Sequence, residues 1–225
     1  MSGPLYQYPK QAAFGRVVPK TKIYQHAKPS SAVKQRFITQ IDKIVWLYKL
    51  APETINLPPC HAVPEIEIFE IQLKTPELKE EVLRSIDQAI PFPILFELRY
   101  QEQVRLTAAY KRPSEADGAK WVVDGYLSSP WLPADTVRDP LPVALDLARL
   151  YDQLLRALLP IPKREGETLK DQINRYADIQ RKEKECNKLE SRLHREKQFN
   201  RKVEINAQLR EIEKMLNTLM KVKAG

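Results

Sequence analysis

The C-terminal stretch from Thr168 to Gly225 constrains the fold of this chain more than any other feature. It contains no proline and no glycine before the last residue, and it is rich in Lys, Arg, Glu, Gln and Leu. These residues favour helix, and nothing in the stretch signals a turn. The pattern therefore favours one continuous helix, which at about fifty residues would span about 75 Å, with a helical hairpin as the alternative.

Apolar residues in this stretch recur at the alternating spacings of three and four that are typical of a coiled coil. The phase changes near residues 199–207, and Glu196 and Asn200 weaken the first part of the seam. We therefore expect the seam to need a second copy of the chain or a partner helix, although residues 203–219 folding onto the globular domain is an alternative. The predicted partner seam comprises Leu189, Leu193, Val203, Leu209, Ile212, Leu216 and Leu219.

The net charge of +8 is unevenly distributed along the chain. Residues 1–43 carry +7, residues 44–162 carry −5, and residues 163–225 carry +6. Clustered Lys and Arg are typical of proteins that contact phosphates, so the basic ends predict contact with a polyanion, and the basic arm predicts non-specific binding to DNA. An alternative is that the basic arm packs on the acidic body and that the tail helix is simply exposed to solvent. The candidate nucleic-acid contacts are Lys20, Lys22, Lys28, Lys34, Arg36, Lys111 and Arg112.

Composition shifts divide the chain into a basic N-terminal arm (residues 1–29), a globular domain (30–162) and a helical tail (163–225). The globular part reads as a helix, two strands, a helix, three strands and a helix. This order predicts an α+β fold with a mostly antiparallel sheet of about five strands, followed by the long helix or helical hairpin.

Three local features of the globular part give specific expectations. Lys20 and Lys22 alternate with apolar residues, which predicts a short strand. Thr75 followed by Pro76 predicts the start of a helix. The apolar phase slips by one residue within 65–74, which predicts a β-bulge or burial of both faces of that strand.

Acidic residues on the predicted strands raise the possibility of a divergent metal-dependent nuclease, since such enzymes hold Mg²⁺ with converging carboxylates and often a nearby lysine. The spacing argues against it, because no acid stands two residues before Lys111. The cysteines and histidines are scattered, and no glycine-rich phosphate loop occurs. We therefore assign no catalytic residue, metal ligand or cofactor. The nuclease candidates are Glu65, Glu67, Glu70, Glu97 and Asp124, with Lys74 or Lys111.

The chain has no apolar run of the roughly 20 residues that a membrane span needs, and its N-terminus lacks the apolar segment of a signal peptide. Cys60 and Cys186 show no metal-binding spacing. These features predict a cytoplasmic protein that does not contact a membrane.

Four motifs in order resemble an uncharacterised bacterial family, domain of unknown function 4391. They are "WLYKLAPETINL", "IPFPILFEL", "AAYKRPSEAD" with a following Trp, and "REKQFNRKVEIN". The resemblance covers nearly the whole chain and implies no catalytic residues. Members look like companions of DNA methyltransferases and helicases in mobile or defence-related gene clusters, which implies an accessory role in a DNA-directed system.

The expected function is that of a non-enzymatic accessory or adaptor subunit in a bacterial restriction–modification or phage-defence system. The helical tail would bind a protein partner or a second copy, and the basic arm would contact DNA. Two alternatives remain at this point. One is the divergent nuclease, and the other is an oligomeric scaffold with no nucleic-acid contact.

Overall fold

The computed structural model describes residues 3–114 and 121–221; residues 115–120, part of a predicted polar loop, lie outside the described residues. The chain divides into two compact units, Met1–Leu158 and Leu159–Gly225. The second contains α6 (Leu169–Arg195) and α7 (Phe199–Met220). The first contains β1 (Tyr6–Gln7), β2 (Ala13–Val17), α1 (Lys20–Ala27), α2 (Ser31–Gln40), β3 (Ile41–Leu50), α3 (Pro52–Ile55), β4 (Ile66–Leu73), α4 (Glu80–Ala89), β5 (Ile94–Tyr100), β6 (Gln103–Pro113), β7 (Trp121–Ser128), β8 (Leu132–Pro133), β9 (Asp139–Pro140) and α5 (Leu147–Arg156).

The main sheet has the strand order β2-β3-β4-β5-β6-β7, and β8 also pairs with β6. All neighbouring pairs are antiparallel except β4 and β5, which run parallel and are joined through α4. Strands β5, β6 and β7 form the predicted antiparallel meander. The α+β class with a mostly antiparallel sheet is therefore confirmed, and β2 and β8 extend the sheet beyond the strands that the sequence predicted.

The apolar phase slip in β4 has a structural counterpart. The register between β3 and β4 shifts between the pairs Trp46–Phe69 and Tyr48–Ile68, so the extra residue lies in β3. Ile68 and Phe69 are both buried although they point to opposite faces. Both faces of β4 are thus buried at this point, as one alternative predicted, and the bulge lies in the neighbouring strand β3 rather than in β4.

One face of the sheet is covered by helices. Val82 and Ile86 of α4 are fully buried against Phe69, Ile71 and Phe96 of the sheet. Helices α1 and α2 contribute buried Ile23 and Phe37 to the same core. The four-residue apolar spacing of α4 is what allows one stripe of the helix to face the sheet.

Two of the predicted local features are wrong. Lys20 and Lys22 lie in helix α1, which begins after Pro19, so the short alternation there does not mark a strand. Helix α4 begins at Glu80 with Lys79 as its N-cap. Thr75 instead donates its hydroxyl to the carbonyl oxygen of Glu77, which closes a turn before the helix.

The C-terminal unit is a helical hairpin, so the continuous helix favoured by the sequence is wrong and the hairpin alternative is confirmed. Helices α6 and α7 are separated by residues 196–198. Glu196 and Gln198 have extended backbone, with φ of −72° and −83°. The Glu196 carboxylate accepts the backbone N–H groups of Lys197 and Gln198 at 2.8 and 2.9 Å. This turn needs no positive φ, and therefore no glycine.

Two arginines close the open end of the hairpin by binding carbonyl groups at the end of α7, where a helix leaves such groups without partners. Arg175, in α6, donates to Leu219 O at 3.1 Å. It also pairs with Glu167 at 2.7 Å, and both side chains are less than a tenth exposed. This arginine lowers the pKa of Glu167 to about 2. The Arg164 guanidinium donates to the carbonyl oxygens of Thr218, Leu219 and Lys221.

Candidate functional site

Two of the nuclease candidates, Glu70 and Glu97, lie side by side in the sheet. They are register partners on the parallel strands β4 and β5, so their side chains share one face. Arg99, two residues along β5, pairs with Glu70 at 2.5 Å and lies 3.9 Å from Glu97. Gln72 donates to Glu70 at 3.1 Å. The structure therefore brings two acids together, each of them beside an arginine.

Glu97 is only 1% exposed, and both its oxygens are occupied. The two terminal nitrogens of Arg138 donate to Oε1 and Oε2, each at 2.7 Å. Arg138 also donates to Tyr6 O at 3.0 Å. Since Tyr6 lies in β1, which pairs with β9 next to Arg138, this ion pair fastens the N-terminal strand to the sheet.

A cleft of about 440 Å³ opens over this ion-pair network. The ring of Tyr8 lies 4.8 Å from that of Tyr48 at its wall. The Tyr8 hydroxyl is buried and has no hydrogen-bond partner among the described residues. Burial, and after it the negative charge of Glu97, raises the pKa of Tyr8 well above its usual value. The cleft is thus lined by aromatic rings and by acids and arginines whose charges balance.

The other nuclease candidates lie elsewhere and bind other groups. Glu65 pairs with Lys49 at 2.8 Å, Asp124 with Arg112 at 3.5 Å, and Lys74 donates to Ile38 O at 3.0 Å. In the described part of the chain, no group of three or more His, Cys, Asp or Glu side chains is arranged to hold a metal ion.

Glu67 is the one candidate acid for which no ion pair is found within the described residues. It is 1% exposed and lies beside the Glu65 carboxylate. Burial, followed by the neighbouring Glu65 carboxylate, raises the pKa of Glu67 to about 9. The raised pKa favours the protonated, neutral form of Glu67 at pH 7.

Lys111 cannot act as the predicted nucleic-acid contact, because it is 2% exposed. Its ammonium donates to Asp87 O at 2.7 Å, to Phe92 O at 2.9 Å, and also to Ile90 O. Desolvation lowers the pKa of Lys111. The side chain ties the end of α4 to β6, which explains why a lysine stands among apolar residues in this strand. Neighbouring Arg112 is half-buried beside Asp124.

The predicted cations of the N-terminal region divide into occupied and open groups. Lys20 donates to Ile41 O at 2.7 Å, and Arg36 forms an ion pair with Glu81. Lys22, Lys28 and Lys34 are exposed. The sequence therefore overestimated the number of free cations here, because ion pairing between distant segments is not visible in it.

The densest group of open cations lies at the tip of the hairpin, which sequence reasoning passed over because glutamates interrupt the run. We define the hairpin tip as residues 188–202. It carries six exposed basic side chains, for which no ion pair is found within the described residues. They are Lys188, Arg192, Arg195, Lys197, Arg201 and Lys202.

Three of the six cations of the tip share one surface. Lys188, Arg192 and Arg195 are four and three residues apart, so they share a face of α6. Together they line a shallow groove of about 580 Å³. Phe199, which begins α7 within the same tip, is 78% exposed. Basic residues with an exposed aromatic side chain are suited to bind phosphates.

The residues of the predicted partner seam differ in how far they are buried. Leu209 and Ile212 are buried, at 7% and 6% exposure, whereas Val203 is 53% exposed. Within the single chain, Leu209 and Ile212 are thus already covered. The remaining seam residues are half-buried; they are Leu189, Leu193, Leu216 and Leu219.

Comparison with known proteins places both units in one family. The sequence model of the family described as "Domain of unknown function (DUF4391)" matches residues 7–216. The chain belongs to this family. No curated protein and no solved structure matches the chain. Within the residues that the structure describes, no helix combines the length and the apolar character needed to cross a membrane.

Proposed function

We propose that the protein is a non-enzymatic accessory subunit of a bacterial DNA-directed system and that it contacts DNA through the hairpin tip. The observation that carries this proposal is the set of six exposed cations at the tip, for which no ion pair is found within the described residues. The family resemblance, which implies companions of DNA methyltransferases and helicases, supports the same system.

The local geometry of the tip favours phosphate binding. The first turn of α7 has no side-chain N-cap hydrogen bond and no acidic residue, although the Glu196 carboxylate accepts the N–H of the N-cap residue Gln198. The N–H groups of the first turn itself are left for an anion. Arg201 and Lys202 lie in that turn. Phosphates bound there would interact with side-chain cations and with the positive end of the helix dipole at once.

The hairpin also offers a place for a protein partner. Phe199 and Val203 are one helical turn apart on α7 and are 78% and 53% exposed. An apolar pair of this kind is suited to pack against one helix of another protein or of a second copy. The accessory subunit would then connect a larger partner to DNA.

Fluorescence anisotropy with a labelled DNA duplex tests the DNA contact. The triple variant Arg192→Glu, Arg195→Glu, Arg201→Glu should weaken binding at low salt by about two orders of magnitude, because three phosphate contacts become repulsive. The matched variant Lys22→Glu, Lys28→Glu, Lys34→Glu changes the same number of exposed charges in the N-terminal region and should have a much smaller effect.

Equal losses from the two triple variants would mean that binding follows net charge and not the tip. No binding by the unchanged protein at low salt would contradict the proposal as a whole and would favour an oligomeric scaffold without nucleic-acid contact.

A divergent nuclease is the second candidate, favoured by the adjacent carboxylates of Glu70 and Glu97. Metal binding there requires Arg99 and Arg138 to release the two acids, since both now pair with them. Incubation of the protein with DNA or RNA and Mg²⁺ or Mn²⁺ tests this reading. Cleavage that is lost in Glu70→Gln and kept in Glu102→Gln, which changes an exposed acid, would replace the accessory role by an enzymatic one.

A further inference from the structure

A second cleft lies on the helix-covered face of the sheet, beside the start of α4. Its volume is about 320 Å³, which is within the range of sites that bind small molecules. Arg105 and Thr107 reach it from β6, Ser128 from β7, and Trp131 from the segment after β7. This cleft contains none of the residues assigned above to the ion-pair network or to the hairpin tip.

Arg105 is the one arginine that lines this cleft, and it is partly buried there. Its guanidinium lies 4.7 Å from the centre of the Trp131 ring. Its Nε is buried and has no hydrogen-bond partner, and no ion pair to Arg105 is found within the described residues. Desolvation alone lowers the pKa of this arginine.

An unpaired guanidinium nitrogen in a desolvated position is unfavourable unless something else binds it. The Trp131 ring attracts the guanidinium but offers no acceptor to its buried Nε–H. The planar fork of an arginine matches the two oxygens of a carboxylate. An anion that enters the cleft would give this guanidinium a partner.

The neighbouring hydroxyls add a donor to the same site. The oxygens of Thr107 and Ser128 are 2.9 Å apart, so one hydroxyl donates to the other. The two hydroxyl groups carry one proton each, and the hydrogen bond between them uses one of these protons. The second proton is available to an oxyanion bound at Arg105.

The walls and rim of the cleft define what kind of anion fits. Pro76, Leu78 and the ring of Trp131 give the cleft the apolar surface that an aliphatic group can contact, whereas Leu73, Leu83 and Leu98 are buried beneath it. Glu77 and Glu80 lie at the rim, where their negative charge disfavours a ligand with several charges. We propose that this cleft binds a monocarboxylate attached to an aliphatic group, either a free acid or the C-terminal residue of a protein chain.

NMR spectroscopy of the ¹⁵N-labelled full-length protein tests this site, with the indole N–H of Trp131 identified by its loss in Trp131→Phe. At constant ionic strength, N-acetyl-leucine should shift that signal saturably. N-acetyl-leucinamide, which has no carboxylate, should not shift it. Inorganic phosphate should bind more weakly than N-acetyl-leucine, because it has no apolar body and carries more charge.

Two variants and one control assign the effect to Arg105. Arg105→Gln should weaken binding of N-acetyl-leucine by about ten- to hundredfold, the loss expected for charge-assisted hydrogen bonds. Arg105→Lys, which keeps the charge without the fork, should weaken it by about tenfold. Arg149→Gln, at an arginine side chain that is 69% exposed, should bind as the unchanged protein does.

A third ligand, N-acetyl-Ala-Ala-Leu, tests whether the carboxylate belongs to a free acid or to a protein C-terminus. Tighter binding by this peptide than by N-acetyl-leucine identifies a protein C-terminus, and equal binding identifies a free acid. A Trp131 signal that N-acetyl-leucine does not shift, or a shift that is unchanged in Arg105→Gln, would overturn the assignment. Neither result depends on DNA binding by the hairpin tip.

Discussion

The ion pair between half-buried Arg138 and buried Glu97 is the residue-scale interaction that ties the N-terminal strand to the sheet. Breaking a buried pair by removing one partner leaves an uncompensated charge and costs about 3–5 kcal/mol. We expect Arg138→Met to lower the free energy of unfolding by about that amount, as measured by urea denaturation. Arg149→Met is the control, because that arginine side chain is 69% exposed and its loss should change stability by less than about 1 kcal/mol.

If Arg138→Met and the unchanged protein have the same free energy of unfolding, the ion pair makes no net contribution to stability. Glu97 would then not need Arg138, and its carboxylate would again be a candidate for metal binding.

Glu67 makes the stability of the protein depend on pH. Its pKa rises from 4.5 to about 9 on folding, so the folded state holds a proton that the unfolded state releases above pH 4.5. The contribution of protonated Glu67 to the free energy of unfolding is therefore fully present below pH 4.5 and is lost as pH rises through about 9. Over this range the free energy of unfolding falls by at most about 1.4 kcal/mol per pH unit.

Glu67→Gln has no carboxyl group to titrate at this position. The free energy of unfolding of this variant, minus that of the unchanged protein, should therefore increase from pH 5 to pH 8.5. Urea denaturation at both pH values measures the difference. Glu102→Gln, at an exposed carboxylate, should show no such trend. A constant difference between Glu67→Gln and the unchanged protein across this range would mean that Glu67 is ionised in the folded state.

At the scale of elements, the hairpin depends on the arginines at its open end. Arg175 binds Glu167 and the end of α7 with its side chain only 6% exposed. Arg175→Ala should therefore destabilise the helical unit by about 3–5 kcal/mol and speed hydrogen exchange in α7. Arg181→Ala, at a side chain that is 72% exposed in the same helix, should leave exchange nearly unchanged. If the amide groups of α7 exchange at the same rate in Arg175→Ala and Arg181→Ala, Arg175 does not stabilise the hairpin.

The exposed apolar pair on α7 gives a prediction about assembly. If Phe199 and Val203 bind a second copy, the double variant Phe199→Ser, Val203→Ser should lower the mass measured by light scattering to that of one chain. Val143→Ser is the control, since Val143 is 94% exposed but lies outside the hairpin. A monomeric unchanged protein would assign the pair to a different protein, and an oligomer that persists in the double variant would exclude the pair from the self-association interface.

Elements with strong periodic signals were predictable from the sequence, and elements fixed by contacts between distant segments were not. The stripe of α4 and the meander of β5 to β7 followed from apolar spacing and short polar connections. The hairpin turn did not, because Glu196 forms it with its own side chain and with ordinary backbone angles. The start of α4 was misplaced because the Thr75 hydroxyl has a local acceptor outside the helix.

At the scale of the whole molecule, the sequence predicted that the ends of the chain are basic but not which cations are open. Lys111 looked like a surface cation beside aromatic residues, yet three carbonyl groups from a distant helix and loop enclose it. The hairpin tip looked like a mixed-charge run, yet its six cations are exposed, with no ion pair found among the described residues. Charge composition predicts an affinity for polyanions, whereas the position of the contact surface depends on tertiary structure.

The salt dependence of DNA binding tests the central claim most directly, because its slope counts phosphate contacts. If the six cations of the hairpin tip each contact a phosphate, a plot of log K against log salt concentration should have a slope of about −5. Arg192→Glu, Arg195→Glu, Arg201→Glu should make that slope shallower by about 3, and Lys22→Glu, Lys28→Glu, Lys34→Glu should leave it nearly unchanged. A slope that the tip substitutions leave unchanged would show that the hairpin tip does not bind DNA.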